Sequence, residues 1–228
     1  RINCDLFIFG VESAAMFEIR KCVNPECGLR YPLIIGTRGG AHCPICRSDT
    51  AVVLRDLSQL EVPAVEAPHV RVHMEALLDN IRSAWNVGAM FRLADGAGLS
   101  RLHLCGVSAT PLHREVAKTA LGAEKVLPWE YHPDGVETAE GLLRSGYHLW
   151  ALEGGARSES LVQAAQDARN IQGPLLLVAG NEVGGVDPGI MDLCERVVYL
   201  PMQGVKKSLN VATAFGIAVY WLRYLPGD

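Results

Sequence analysis

The segment from Leu175 to Leu222, LLLVAGNEVGGVDPGIMDLCERVVYLPMQGVKKSLNVATAFGIAVYWL, admits few folds. The apolar run Leu175 to Ala179 is short and uninterrupted, the pattern of a strand buried on both faces. It stops at a polar turn, Gly180-Asn181-Glu182. A short helix-like segment leads to a second apolar run, Val197 to Leu200, which breaks at Pro201 into a loop carrying Gly204, Lys206 and Lys207. That loop ends in Ser208-Leu209-Asn210 and opens an apolar helix running to Leu222. Strands that end in polar loops feeding helices are where open α/β sheets bind ligands.

The alternation continues upstream. Val70 to Leu77 predicts the first strand of this domain, and Asp79-Asn80 can cap a helix over Ala84 to Gly96. Arg101 to Val107 predicts a strand, Pro111 to Gly122 a loop with a short helix, and Glu124 to Trp129 a further strand. Val136 to Ser145 reads as a helix, Tyr147 to Leu152 as a strand, and Ser160 to Gln166 as the start of another helix. Strands alternating with helices define an α/β domain: a parallel sheet with helices on both faces.

The N-terminal quarter is different. Cys22-x4-Cys27 and Cys43-x2-Cys46 form two cysteine knuckles, the pattern of a zinc ribbon. Each short loop presents two sulfurs, and together they complete a tetrahedral site. A segment this small buries too little core to stand alone, so a metal staple is physically sensible. Disulfides and free core thiols are the competing readings, the former disfavoured inside a cell. His42 beside Cys43 is an alternative ligand. Four cysteines leave no open coordination position, so the zinc is structural. Cys4, Cys105 and Cys194 sit in apolar surroundings and read as core thiols. The expected domains are residues 1–56 with the ribbon, a Pro-bearing linker 57–69, and the main domain 70–228.

No apolar run reaches the length of a membrane span, and the N-terminus lacks a clear basic-then-apolar leader pattern. The cytoplasm is the default location. The net charge of −4 argues against nucleic-acid binding through bulk charge. Zinc bound by four thiolates makes the balance more negative still. Any RNA contact must use a local basic patch, with Arg82, Arg92, Arg114, Lys118, Lys206 and Lys207 as candidates, some of them ordinary surface charges.

Three groups of residues, in order along the chain, resemble the SpoU (TrmH-like) family of RNA 2′-O-ribose methyltransferases, of the SPOUT class. The first is Asn80-Ile81-Arg82 with Asn86-Val87-Gly88-Ala89 and Arg92. The second is Gly180-Asn181-Glu182 with Gly185. The third is Leu200-Pro201-Met202 with Gly204 and Ser208-Leu209-Asn210-Val211. The resemblance covers roughly Val70 to Leu225. It implies transfer of a methyl group from S-adenosylmethionine to a ribose 2′-hydroxyl of tRNA or rRNA. It also implies a deep C-terminal trefoil knot and a homodimer with the active site near the interface. The apolar final helix, Leu209 to Leu222, suits a dimer face or a buried position equally.

The resemblance also assigns residues. Gly180, Leu200, Met202, Leu209 and the loop after Leu152 face the cofactor, and an apolar slot with backbone groups at its edge suits an adenine. Arg82 is the candidate catalytic residue. Arginine is a poor proton acceptor, so a phosphate clamp that also stabilises the forming alkoxide is the better role. Asn80 caps the helix and positions Arg82, Asn86 bonds a neighbouring loop or RNA, and Gly88 permits close backbone approach. Glu182 anchors its loop through backbone N–H groups or touches the partner subunit or RNA. Ser208 and Asn210 cap the last helix and reach the site. Val183, Ala120 and Ala212 depart from residues frequent in relatives.

Gly96-Ala97-Gly98 and Gly204-Val205-Lys206-Lys207-Ser208 lack the remaining elements of dinucleotide and phosphate loops. Two alternatives stay open: a knotted methyltransferase acting on a base nitrogen, and a catalytically silent RNA-binding or scaffold protein.

Overall fold

The computed structural model describes residues 17–36, 41–56, 72–168 and 170–224. The expected linker, Cys4 and the expected start of the first main-domain strand, residues 70–71, lie outside them. The described residues fall into two compact units, 17–56 and 72–224.

The smaller unit is a three-stranded antiparallel sheet of β1 (Phe17–Cys22), β2 (Arg30–Ile34) and β3 (Thr50–Asp56), in the order β2-β1-β3. Its strands bury little: Phe17, Val52, Val53 and Leu54 are all exposed. Among the described residues of this unit, the only buried hydrophobic side chains are Cys22 and Cys43. The buried carboxylate of Glu18 is held by the guanidinium groups of Arg20 and Arg55. The cysteine cluster takes the place of a core.

The larger unit is a seven-stranded sheet. Its strands are β4 (Met74–Asp79), β5 (Leu102–Cys105), β6 (Trp129–His132), β7 (His148–Leu152), β8 (Glu159–Ser160), β9 (Leu175–Ala179) and β10 (Arg196–Tyr199). They lie in the order β6-β5-β4-β9-β7-β10-β8, each parallel to its neighbours. The helices are α1 (Ala84–Ala97), α2 (Arg114–Ala120), α3 (Ala123–Val126), α4 (Gly135–Arg144), α5 (Leu161–Ala168), α6 (Pro188–Leu193) and α7 (Val211–Tyr224). Alternate strand residues enter two separate cores, so helices cover both faces. Leu175, Leu177 and Ala179 join Phe91, Trp150 and Phe215 in the core beneath α1, α5 and α7. Leu176 and Val178 join Ala139 and Ile190 beneath α4 and α6. Burying each of the large side chains Phe91, Trp150 and Phe215 contributes roughly 1.5–3 kcal/mol.

One predicted strand is corrected. Glu124 to Trp129 is not a strand: Ala123–Val126 is the short helix α3, and β6 starts at Trp129. Leu121 and Gly122 both adopt left-handed backbone, with φ of 54° and 97°, which turns the chain before it. The Glu124 carboxylate then accepts the Gly122 N–H at 3.0 Å and closes a helical turn. The two-residue strand β8 was not expected from the sequence.

Two contacts bring the ends of the domain together, and a third packs α1 on α2. Gly216 of α7 packs on Leu93 of α1 so closely that a Cβ would lie 2.8 Å from a leucine methyl. In α1, Gly88 leaves no room either: a Cβ would stand 2.4 Å from the Val116 carbonyl of α2. At the other end of α7, the Arg223 guanidinium donates to the carbonyls of Ala97 (3.0 Å), Gly98 (2.6 Å) and Val72. Two of these are carbonyls that the C-terminus of α1 leaves unpaired.

Candidate active site

The strand register fixes where the loops gather. Leu78 of β4 lies beside Ala179 of β9, Ala179 beside Leu152 of β7, and Leu152 beside Val198 of β10. The carboxyl ends of four adjacent strands are therefore level, and the loops leaving three of them, β7, β9 and β10, line one cavity of about 440 Å³. Leu152, Gly180, Leu200, Met202 and Leu209, expected from the sequence to face a cofactor, all line it. Glu182, Lys207, Ser208 and Asn210 line it as well. Its walls are apolar at Leu152, Leu200, Met202 and Leu209, with the polar residues Asn181, Glu182, Ser208 and Asn210 among them, a composition suited to a small ligand.

A line of side-chain hydrogen bonds joins the three motif segments. The Glu182 carboxylate accepts the backbone N–H of Arg82 at 2.9 Å, that of Ser83 at 3.1 Å and the Asn86 amide at 2.8 Å. Asn86 in turn accepts from the Asn210 amide at 3.1 Å. The Asn210 oxygen accepts the N–H groups of Ala212 and Thr213 at 3.0 and 3.3 Å, capping α7. Burial pushes the Glu182 carboxyl up, but the Arg82 N–H, the Asn86 amide and the Ser83 N–H outweigh it and hold the group below its ordinary value.

The cap of α1 differs from the expected one. Ser83, not Asn80, is the N-cap, its side chain accepting from Asn86 N–H. Asn80 adopts left-handed backbone, φ 55°, and is engaged elsewhere. Its side chain donates to Asp79 at 2.7 Å and accepts the Val107 N–H at 3.1 Å, and its carbonyl accepts the Asn181 amide at 2.7 Å. Asn80 thus locks the turn that carries Arg82, though not as a helix cap. The Arg82 side chain is exposed and makes no hydrogen bond or ion pair among the described residues. Ser208 is also exposed.

Sequence reading gave no supporting role to Asn181, Glu153 or Ser108, and read Asp79 only as a helix cap. Asn181 accepts the N–H groups of Val183 and Gly184, both at 2.9 Å, and shapes the turn after β9. Glu153 accepts the N–H of Val186 at 3.2 Å. Asp79 accepts that of Asp187 at 2.9 Å, and burial raises its carboxyl above the usual value. Ser108 bridges the Ile81 N–H and the Leu78 carbonyl. A carboxylate ending an apolar run, as at Asp79 and Glu153, was the available signal. Gly180 cannot be replaced in this packing: a Cβ there would lie 2.2 Å from the backbone nitrogen of Val186.

The basic candidates do not form one patch around the cavity. Lys207 reaches its lining and Lys206 is exposed beside it. Lys118 sits over the Trp85 ring at 5.4 Å, at the start of α1. Arg114 pairs with its neighbour Glu115, and Arg92 is exposed on α1.

The cysteine knuckles converge in the smaller unit. Cys22 and Cys46 sulfurs are 3.4 Å apart, Cys27 and Cys43 sulfurs 3.7 Å, and all four lie within 4.8 Å of one another. A disulfide needs about 2.05 Å. A tetrahedral zinc with sulfurs at about 2.3 Å sets them about 3.8 Å apart, which the cluster fits. His42 turns instead to Asp49 at 3.2 Å. Burial pushes the thiols of Cys105 and Cys194 up to about 12, leaving them inert.

Residues 73–220 match a family profile described as the SpoU rRNA Methylase family. The 23S rRNA (guanosine-2′-O-)-methyltransferase RlmB of Vibrio parahaemolyticus is 28% identical over 169 residues, 74% of this chain and 65% of that protein. The 23S rRNA (guanosine(2553)-2′-O)-methyltransferase RlmP of Bacillus subtilis is 32% identical over 151 residues, 64% of this chain and 56% of that protein. Among solved structures, an AdoMet-bound rRNA methyltransferase from Sinorhizobium meliloti matches with a TM-score of 0.58 and 25% identity, over 66% of this chain and 55% of that one. The matched region thus spans between 56% and 65% of the length of the two curated relatives.

Proposed function

The chain belongs to the SpoU rRNA Methylase family, and from that premise we propose that it methylates a ribose 2′-hydroxyl of RNA with S-adenosylmethionine as donor. The observation that carries this reading is the Glu182–Asn86–Asn210 line of hydrogen bonds, which ties all three motif segments to the rim of one cavity. The names of the relatives favour ribosomal RNA, and a guanosine ribose, as the first substrate to test.

Bound S-adenosylmethionine supplies an electrophilic methyl group. Leu152, Leu200, Met202 and Leu209 form its apolar slot, with the backbone at Gly180 at its edge. Arg82 is the catalytic residue: its guanidinium clamps a substrate phosphate and stabilises the developing alkoxide, while phosphate or water takes the proton. Glu182 is a positioning residue, since its carboxylate is spent on the backbone of Arg82 and Ser83. Asn80 supports Arg82 from the preceding turn, and Asn210 and Ser208 present the third segment to the site. Lys206 and Lys207 on the third loop, with Asn86, Arg92, Arg114 and Lys118, contact RNA.

Two further features belong to this reading. A C-terminal trefoil knot is what membership of this family implies. A homodimer is supported by Ile217, Tyr220 and Trp221, large side chains left exposed along α7. One zinc in the cysteine cluster staples the smaller unit, and the cytoplasm is the expected location.

The test is methyl transfer from labelled S-adenosylmethionine to unmodified 23S rRNA and tRNA transcripts, followed by digestion to nucleosides. Label in 2′-O-methylated nucleosides is expected. Label in a methylated base would overturn the role of Arg82. Donor binding without transfer to either RNA would favour a silent RNA-binding protein.

A further inference from the structure

On the α4 side of the sheet, at its β5–β6 edge, a second cluster of ligating side chains stands apart from the cavity described above. His103 lies beside Glu130 in the register of β5 and β6, and Cys105 lies beside His132. Nδ1 of His103 is 3.2 Å from Nε2 of His132, and that nitrogen is 3.7 Å from Oε2 of Glu130. One ligand atom from each of the three falls within 4.8 Å of the others. We propose that His103, His132 and Glu130 bind a zinc ion, with Glu75 as the carboxylate that orients His103.

Proton accounting supports this. Neutral imidazole has one donor and one acceptor nitrogen. Nε2 of His103 meets the carboxylate of Glu75 at 2.8 Å, where both side chains are buried, so the N–H belongs there. Nδ1 is then a lone pair, and it points at another ring nitrogen. A carboxylate behind one imidazole nitrogen and a metal in front of the other is the usual arrangement of a ligating histidine. Zinc at about 2.0–2.1 Å from two nitrogens in a tetrahedron sets them about 3.3 Å apart. Glu130 has one oxygen paired with Arg101, which leaves Oε2 as the ligand. Two imidazoles and one carboxylate suit zinc well, and three protein ligands leave a position open. The three residues line a cavity of about 420 Å³ that Asp134, Glu137 and Thr138 also line. Water or another oxygen ligand takes the open position. The competing account is a plain hydrogen bond between the two rings, with no metal.

Equilibrium dialysis of the whole chain against zinc, with bound metal counted by mass spectrometry, separates the two. The wild-type chain is expected to hold one zinc ion more than His132→Gln, whatever the cysteine cluster contributes to both. Glu75→Gln is expected to keep the site with affinity lowered about 10- to 100-fold. Glu130→Gln, at a half-exposed position, repeats the comparison if His132→Gln fails to fold, as judged by its melting curve. Equal zinc content in wild type and the folded ligand variants would overturn the site.

Discussion

The carboxylate of Glu182 holds the backbone N–H of Arg82 at 2.9 Å, although the two residues stand 100 positions apart. The acid therefore fixes the main chain of the arginine and leaves its guanidinium free. The two residues should fail in different ways.

Arg82→Ala should lower methyl transfer by about 100- to 1,000-fold, the range for removing one preorganised donor to a developing oxyanion. Affinity for S-adenosylmethionine should hardly change, because Arg82 does not line the cavity. Single-turnover transfer and calorimetric donor binding on the same variant check both halves. An active variant would remove Arg82 from the mechanism.

Glu182→Gln should flatten the acid side of the stability profile. The folded carboxyl sits below its ordinary value because hydrogen bonds from Arg82, Asn86 and Ser83 outweigh burial. Its contribution is therefore complete above the unfolded value, about 4.3, and is lost as pH falls through the lower folded value. Urea unfolding from pH 6 to pH 3 should show the wild type losing stability more steeply below about pH 4.3. Parallel curves would dissociate Glu182 from the Arg82 turn.

Asn210 has two separable duties. Asn210→Ala removes the cap of α7 and should cost about 1 kcal/mol, a Tm lower by roughly 2–4 °C. Asn210→Asp keeps the cap but loses the amide that donates to Asn86. It should retain most of the stability while impairing transfer. Melting curves alongside transfer rates distinguish the two.

Cys43→Ser should release the cysteine-bound zinc and abolish hydrogen-exchange protection across β1–β3, since the unit's only described buried hydrophobic side chains are Cys22 and Cys43. Protection in the parallel sheet should persist. Full protection of the small sheet in metal-free protein would refute the staple.

Trp221→Glu should shift the sedimentation boundary from dimer to monomer if the exposed face of α7 is the homodimer surface. A wild-type monomer with full activity would contradict that assembly.

The sequence made the frame readable because buried parallel strands are short unbroken apolar runs, as at Leu175–Ala179. It made the cavity readable because the polar loops directly follow such runs. What stayed hidden depended on backbone conformation. Nothing in the letters says that Asn80 adopts a φ of 55° and so surrenders the helix cap to Ser83. Glu124, in a window that reads equally as strand, turns helical because it bonds back to Gly122. The service of Glu153 and Asp79 to distant N–H groups is tertiary, and each looks locally like the polar end of a strand.

The clasp made by Arg223 bears on how the protein is made. The carbonyl of Val72 receives a donor that lies 151 positions further along, and Ala97 one 126 positions further along. During synthesis the first strand and helix of the parallel-sheet unit leave the ribosome long before those partners exist. Asn210, which completes the cavity rim, emerges in the same late stretch. A nascent chain therefore cannot hold a finished site, and the cavity is complete only after nearly the whole of this region has been translated.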